Sequence, residues 1–195
     1  MICNLDEVND IIKEEGMELW VVSYGGCCSN SLVYHLEQNG YKCQTPIWHK
    51  ILCHCPKYID TDMPVIYIYD NPMRCFLSQK KRGDNYWGVN QKKLSNNEDI
   101  RLSDETLLSL MIHQFESWTK EKRDNVLIIK SCELFEEAIV EKLEKFLKKK
   151  INYFPISYRK PLINKETINE EIDETLYKLF EKYKEQINYI NNYKY

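Results

Sequence analysis

Three short runs of almost uninterrupted apolar residues constrain the fold of this chain more than any other feature. They occupy residues 19–23, 65–69 and 126–129, and turn-forming residues bound each of them. Apolar runs of this length, without polar alternation, are typical of strands that are covered on both faces. A weaker strand pattern lies around residues 41–44. The sequence therefore predicts a buried sheet.

Helical periodicity separates these strand candidates. Predicted helices cover residues 5–15, 31–38, 72–81, 103–121, 132–149 and 167–190. Strands that alternate with helices favour right-handed crossovers and a parallel sheet with helices on both faces. We therefore predict one α/β domain over residues 1–195, with three α/β/α layers and a central, mostly parallel sheet. Residues 83–102 are polar and too long for a routine connection, which predicts a mobile loop.

The overall composition argues against several classes of protein. Of the 195 residues, 43% are hydrophobic and 29% are charged, and the formal net charge is -3. This balance gives no general reason to expect binding to nucleic acid. No apolar run reaches the roughly 18 residues that span a membrane. Residues 1–16 do not resemble a secretion signal, so we expect an intracellular, cytoplasmic protein. Abundant Asn, Lys, Ile and Tyr are typical of an AT-rich genome, such as that of a giant virus or a protist.

The eight cysteines are expected to be reduced, because the sequence shows no export signal and is long enough to form its own core. Cys53, His54 and Cys55, with His49 upstream, raise the hypothesis of a metal site. Structural zinc sites usually use pairs of cysteines with two residues between them, and no second pair follows. We therefore predict that no metal is bound.

The segment Ser-Tyr-Gly-Gly-Cys-Cys-Ser-Asn, residues 23–30, connects the first strand candidate to a helix. A glycine-containing turn at this position gathers unpaired backbone N–H groups at the positive end of a helix dipole, which favours anion binding. A Walker A loop would require lysine where the chain has Ser31, so hydrolysis of ATP or GTP is not expected. The alternative is that the two glycines only permit a tight turn.

Three segments, in order, resemble the sulfotransferases that use 3′-phosphoadenosine 5′-phosphosulfate. Residues 23–30 align without a gap with the family loop Ser-Tyr-Pro-Lys-Ser-Gly-Thr-Thr, and residues 53–56 are similar to its Thr-His-Leu-Pro segment. Residues 66–74, followed by Ser78, resemble the family segment Ile-Tyr-x-x-Arg-Asn-Pro-x-Asp and its serine. The resemblance covers roughly residues 17–165 and implies a sulfotransferase-like fold of the P-loop NTPase type.

The resemblance also implies a role for each matching residue. The donors to the sulfate and the 5′-phosphate are then Gly25, Gly26, Cys27, Cys28, Ser29 and Asn30. His54 is implied as the base that accepts the proton of the acceptor hydroxyl. Ser78 is implied as a ligand of the 3′-phosphate, together with Arg159 and Lys160, which partly match a family Arg-Lys-Gly segment. The implied reaction transfers a sulfuryl group from 3′-phosphoadenosine 5′-phosphosulfate to a hydroxyl of a glycan or a small molecule.

Two departures from the family pattern bear on this function. Gly26 occupies the position of the family's loop lysine, and Asp70 that of a phosphate-binding arginine. Arg74 either reaches the same anion from one helical turn away or pairs with Asp70. Two further functions therefore stay open. One is a protein of this fold that binds an anion or nucleotide without catalysis, and the other is an atypical nucleotide-dependent phosphotransferase.

Two aromatic residues in the predicted loop have alternative roles. Tyr86 and Trp87 either stack on a flat acceptor or hold the loop against the body of the protein.

Overall fold

The computed structural model describes residues 5–43, 50–155 and 172–194. The strands within these ranges are β1 (Trp20–Val22), β2 (Val65–Tyr69) and β3 (Val126–Lys130). The helices are α1 (Val8–Glu14), α2 (Ser29–Gln38), α3 (Lys50–Cys53), α4 (Pro72–Lys80), α5 (Asp84–Ser95), α6 (Asp104–Thr119), α7 (Ala138–Leu147), α8 (Glu174–Lys182) and α9 (Lys184–Asn192). Short 3₁₀ segments lie at Leu5–Glu7 and Ser131–Phe135.

The three strands form one parallel sheet in the order β1-β2-β3. In its register, Trp20 lies opposite Val65, and Val65 lies opposite Val126. Every strand residue is buried except Lys130, which is half-buried. The predicted class is therefore confirmed as a mixed α/β fold with a small parallel sheet and helices around it.

Helix α6 contributes two of the largest fully buried side chains, Trp118 and Phe115. Trp118 stacks on Tyr67 of β2 with ring centres 5.7 Å apart, and it meets Trp20 of β1 edge-on at 5.4 Å. The helix begins where predicted, because the Ser103 hydroxyl accepts a hydrogen bond from the Thr106 N–H at 3.0 Å. Within the described ranges, no helix is both long and apolar enough to cross a membrane.

Hydrogen bonds tie the carboxyl ends of the three strands together. Tyr24 follows β1, and its hydroxyl accepts a hydrogen bond from the Asp70 N–H at 3.0 Å and donates one to the Asp70 carbonyl. Asp70 follows β2, and its buried carboxylate accepts a hydrogen bond from the hydroxyl of Ser131, which follows β3. The glycine turn therefore begins at a point that is fixed to the other two strands.

The prediction of a loop over residues 83–102 is wrong for most of that segment, because α5 occupies it. The helix begins after Gly83, and Asn96 ends it in the left-handed conformation, with φ +51°. Its buried residues are Gly88, Asn90, Gln91 and Leu94. Three of these four are not hydrophobic, so the buried face produces no apolar periodicity in the sequence.

Other boundaries also differ from the prediction. Residues 41–43 form no strand. The predicted helix over 132–149 is a 3₁₀ segment followed by α7. The predicted C-terminal helix is divided at Tyr183 into α8 and α9. Within the described residues it begins at Glu174, because the Asp173 side chain caps α8 by accepting a hydrogen bond from the Leu176 N–H. The sequence pattern did not predict α3.

Candidate functional site

A cavity of about 90 Å³ lies where the turn after β1 enters α2. Its lining residues are Gly25, Gly26, Cys28, Ser29, Asn30, Ser31, His54, Arg82 and Tyr86. No carboxylate of the described residues lines the cavity, whereas Arg82 brings a positive charge to it. The volume corresponds to about three water molecules at the density of the liquid, which is enough for one tetrahedral oxyanion.

The backbone of the turn adopts conformations that favour glycine. Gly25 has φ +91° and Gly26 has φ +81°, and Cys28 continues the turn at φ +64°. Cys28 is the N-cap of α2 and makes no side-chain capping hydrogen bond. Because the first N–H groups of a helix have no acceptor within it, those at the start of α2 are suited to an anion in the cavity.

Neither glycine has room for a side chain. A Cβ atom placed on Gly26 would lie 3.0 Å from both the Cα and the carbonyl oxygen of Cys75 on α4. A Cβ atom placed on Gly25 would lie 2.9 Å from Nδ2 of Asn90 and 3.2 Å from Cε1 of His54. The lysine that aligns with position 26 in the sulfotransferase loop is therefore incompatible with this backbone.

Helix α3 places His54 beside the turn by docking on the open edge of β1. The Trp20 indole N–H donates to the Leu52 carbonyl at 2.8 Å, and the Ser23 N–H donates to the Cys53 carbonyl at 2.9 Å. His54 follows, with Nδ1 at 2.8 Å from the Ser23 carbonyl oxygen. A carbonyl oxygen only accepts, so Nδ1 carries the proton and Nε2 of the neutral ring keeps its lone pair.

The surroundings of His54 keep its ring neutral. Burial lowers the pKa of His54 from 6.5 to about 4, while the hydrogen bond to the Ser23 carbonyl opposes this change. The positive charges of Lys93 and Arg82 lower the pKa further. At pH 7 the imidazole is therefore unprotonated and can accept a proton at Nε2.

The low pKa of His54 predicts a loss of stability in mild acid. Between its unfolded pKa of 6.5 and its folded pKa of about 4, the unfolded chain binds a proton that the native protein does not, so stability falls as the pH is lowered. His54 alone should lower the free energy of unfolding by about 2 kcal/mol between pH 7.5 and 5. Urea unfolding at several pH values measures this change.

The matched control is His54→Asn, which keeps an N–H donor for the Ser23 carbonyl but does not titrate. The stability of this variant should change less between pH 7.5 and 5, by about the amount assigned to His54. Parallel pH profiles for the two proteins would contradict the low pKa.

Two buried amide side chains hold the beginning of the turn. Asn90 on α5 donates from Nδ2 to Oε1 of Gln79 on α4 at 2.7 Å. Gln79 then donates from Nε2 to the carbonyl oxygen of Tyr24 at 3.1 Å. Both amides are fully buried. The conformation of the turn is thus fixed by α4 and α5 as well as by β1.

The structure brings six of the predicted site residues to one cavity: Gly25, Gly26, Cys28, Ser29, Asn30 and His54. Cys27 lies in the same turn but is fully buried, and its thiol donates to the Gly25 carbonyl at 3.3 Å. The hydroxyl of Ser29 lies 3.0 Å from that of Ser23, which restrains it.

Two other predicted residues lie on α4 and do not line this cavity. Nη2 of Arg74 lies 3.4 Å from the Asp70 carboxylate, so Arg74 forms an ion pair with Asp70 in this structure. Ser78 lies four residues further along the same helix face and is half-buried. Arg159 and Lys160 lie outside the described residues, as does His49.

Sequence reasoning missed Arg82, which lies two residues after the end of α4 and lines the cavity. The only signal was the basic run of residues 80–82, and nothing in that run distinguishes Arg82 from its neighbours.

The two aromatic residues of the predicted loop, Tyr86 and Trp87, each contact a basic side chain. Tyr86 contacts Arg82, and Trp87, half-buried against the core, has Nζ of Lys80 at 4.4 Å from its ring centre.

Among the described residues, no three histidine, cysteine or acidic side chains converge as a metal-binding group. Comparisons of this chain with known protein families, with curated proteins and with solved structures found no match. The proposal of a function therefore rests on the geometry of this site and on the short motifs that resemble the sulfotransferases.

Proposed function

We propose that this protein binds the sulfate end of 3′-phosphoadenosine 5′-phosphosulfate at the glycine turn and transfers its sulfuryl group to a hydroxyl acceptor. The acceptor class is a glycan or a small molecule, and the proposed architecture is a three-layer fold of the P-loop type. One observation carries the proposal. A neutral histidine with a fixed tautomer, His54, lines the same small cavity as the glycine turn and the start of α2.

The cavity fits one part of this co-substrate. Its volume of about 90 Å³ suits a single tetrahedral group and lies well below the roughly 300 Å³ at which pockets for whole small molecules begin. The adenosine would therefore extend beyond the cavity. Ser78, Arg159 and Lys160 remain the proposed ligands of the 3′-phosphate.

The start of α2 and three side chains of the cavity each have a defined task in the proposed reaction. The backbone N–H groups at the start of α2, with the side chains of Ser29 and Asn30, stabilise the negative oxygens. The co-substrate supplies an activated sulfuryl group: a bond forms from the acceptor oxygen to sulfur as the bond from sulfur to the 5′-phosphate oxygen breaks. Nε2 of His54 takes the proton of the acceptor hydroxyl, and the bisphosphate leaves with the electron pair of the broken bond.

Calorimetric titration with 3′-phosphoadenosine 5′-phosphate tests the binding half of the proposal. We expect saturable binding that weakens by about tenfold or more in Ser78→Ala and in Arg159→Ala, because each removes a phosphate contact. Arg123→Ala is a suitable control, since Arg123 stacks on Tyr58 and does not line the cavity. No detectable binding at millimolar ligand would remove the co-substrate assignment.

Sulfate transfer to a mixed panel of hydroxyl acceptors tests the catalytic half. The activity should disappear in His54→Asn, which keeps the hydrogen bond to Ser23 but has no basic nitrogen. Unchanged nucleotide affinity in this variant would separate the loss of the base from the loss of the site. Full activity in His54→Asn would eliminate the proposed base.

A second candidate function is nucleotide or anion binding without catalysis, and the geometry at Gly26 favours it. The family lysine would stabilise charge on the leaving phosphate, and removing one such donor lowers turnover by about 10² to 10³. Position 26 has no space for it. Binding of the bisphosphate without sulfate transfer to any acceptor would support this second function over the first.

A further inference from the structure

We infer that Arg82 is the cation that binds an anion in the cavity. It supplies, from outside the turn, the positive charge that a lysine at position 26 would supply, and position 26 has no space for a side chain. The ligand group it selects is a tetrahedral oxyanion, either a sulfate or a phosphate. This inference rests on the anion-binding half of the proposed function and does not depend on catalysis.

The charges around the cavity favour an anion. Among the described residues that line it, Arg82 alone carries a full charge at neutral pH, since His54 is neutral. A bound dianion therefore has one permanent positive partner besides the backbone dipoles of α2. The positive charge of Arg82 is also one of the causes that lower the pKa of His54.

Tyr86 contacts the guanidinium of Arg82 in two ways. Nη1 of Arg82 donates to the Tyr86 hydroxyl at 2.6 Å, and the guanidinium carbon lies 4.7 Å from the centre of the tyrosine ring. No carboxylate of the described residues lies within ion-pair distance of Arg82. A guanidinium has five N–H donors, so most of them remain for the oxygens of an anion.

A second polar side chain, that of His54, also faces the cavity. His54 is 8% exposed, with Nδ1 bonded to the Ser23 carbonyl, and no described group bonds Nε2. The two side chains reach the cavity from different elements, since His54 follows α3 and Arg82 follows α4. Together with the start of α2, these two side chains form the polar lining of the cavity.

Anion titrations of the purified full-length protein test this inference, with three probes: inorganic sulfate, inorganic phosphate and 3′-phosphoadenosine 5′-phosphate. The readouts are calorimetry and the NMR shift of the His54 ring protons. We expect Arg82→Gln to lower the affinity for every probe that the native protein binds by about tenfold to a hundredfold, because charge-assisted hydrogen bonds are lost. Arg82→Lys should retain part of the affinity, since it keeps the charge but loses the planar fork.

Lys81→Gln is the matched control, because it removes the same charge one residue away and Lys81 does not line the cavity. Its anion affinity should equal that of the native protein within about twofold. Equal affinities in Arg82→Gln and the native protein would overturn the inference and leave the proposed function standing. Binding that depends on Arg82 without any sulfate transfer would support the inference while the catalytic proposal fails. If the native protein binds none of the three probes, both are overturned.

Discussion

Gly26→Ala is expected to lower the free energy of unfolding by about 3 kcal/mol, from the sum of backbone strain and a steric clash. The backbone at Gly26 has φ +81°, where a side chain is strained. The new methyl group would also lie 3.0 Å from the Cα and the carbonyl oxygen of Cys75. Cys75 belongs to the buried face of α4, so this helix cannot move aside without disturbing the core. Urea or thermal unfolding measures the effect.

Gly40→Ala is the matched control. Gly40 has the same φ, +81°, but the nearest atom to a Cβ there is the flexible end of Lys149 at 3.4 Å. Its replacement should cost only the strain, about 1 kcal/mol. Equal losses in the two variants would mean that α4 yields to the methyl group. In that case Gly26→Lys, which introduces the lysine found in the sulfotransferase loop that this turn resembles, would become feasible. With the observed contact, that variant should be unstable and should gain no anion affinity.

Asp70→Ala is expected to lower the free energy of unfolding by about 3 kcal/mol, because it removes the acceptor of a buried network. Asp70 is 4% exposed, and its carboxylate accepts hydrogen bonds from the hydroxyl of Ser131 and from the Asn71 N–H at 2.7 Å. Its removal also leaves Arg74 without its ion-pair partner. Chemical denaturation measures the loss.

The control for Asp70 is an exposed ion pair of the same type. Glu174 and Lys178 are spaced by four residues, as Asp70 and Arg74 are, but both side chains are mostly exposed. Glu174→Ala should change stability by no more than about 0.5 kcal/mol. A similarly small effect of Asp70→Ala would show that the network contributes little.

Arg74→Met separates the structural role of Arg74 from the alternative of phosphate binding. Arg74 is committed to Asp70 and does not line the cavity, so this variant should be less stable but should bind 3′-phosphoadenosine 5′-phosphate as the native protein does. A large loss of affinity at unchanged fold would restore Arg74 as a ligand of the 3′-phosphate.

The sequence was sufficient to predict the elements whose buried faces are apolar. The β2 and β3 strands are continuous apolar runs, and α6 has an apolar stripe with a serine cap. Helix α5 could not be predicted in the same way, because Asn90 and Gln91 occupy its buried face. Each of those amides bonds to a group on another segment, Asn90 to Gln79 and Gln91 to the Ser103 backbone N–H, and the sequence pattern does not encode these pairings.

The candidate site was predictable where it is local and not where it depends on tertiary packing. The glycine turn and the start of α2 are one continuous segment, so their proximity follows from the sequence. His54 was assigned to the site only through a family resemblance, and its position follows from the docking of α3 on β1. Arg82 reaches the cavity because α4 packs under Gly26, a contact that no local pattern encodes.

The ties between the strand ends have a consequence for how a ligand meets the protein. Tyr24, Asp70 and Ser131 hold the start of the turn in place, and Gln79 fixes its first peptide group. A receptor that is preorganised in this way loses little conformational entropy on binding. The hydrogen-bonded amides of Ser23 and Asp70, which tie the start of the turn to its neighbours, should accordingly exchange with solvent deuterium about as slowly as those of the central strand, even without ligand.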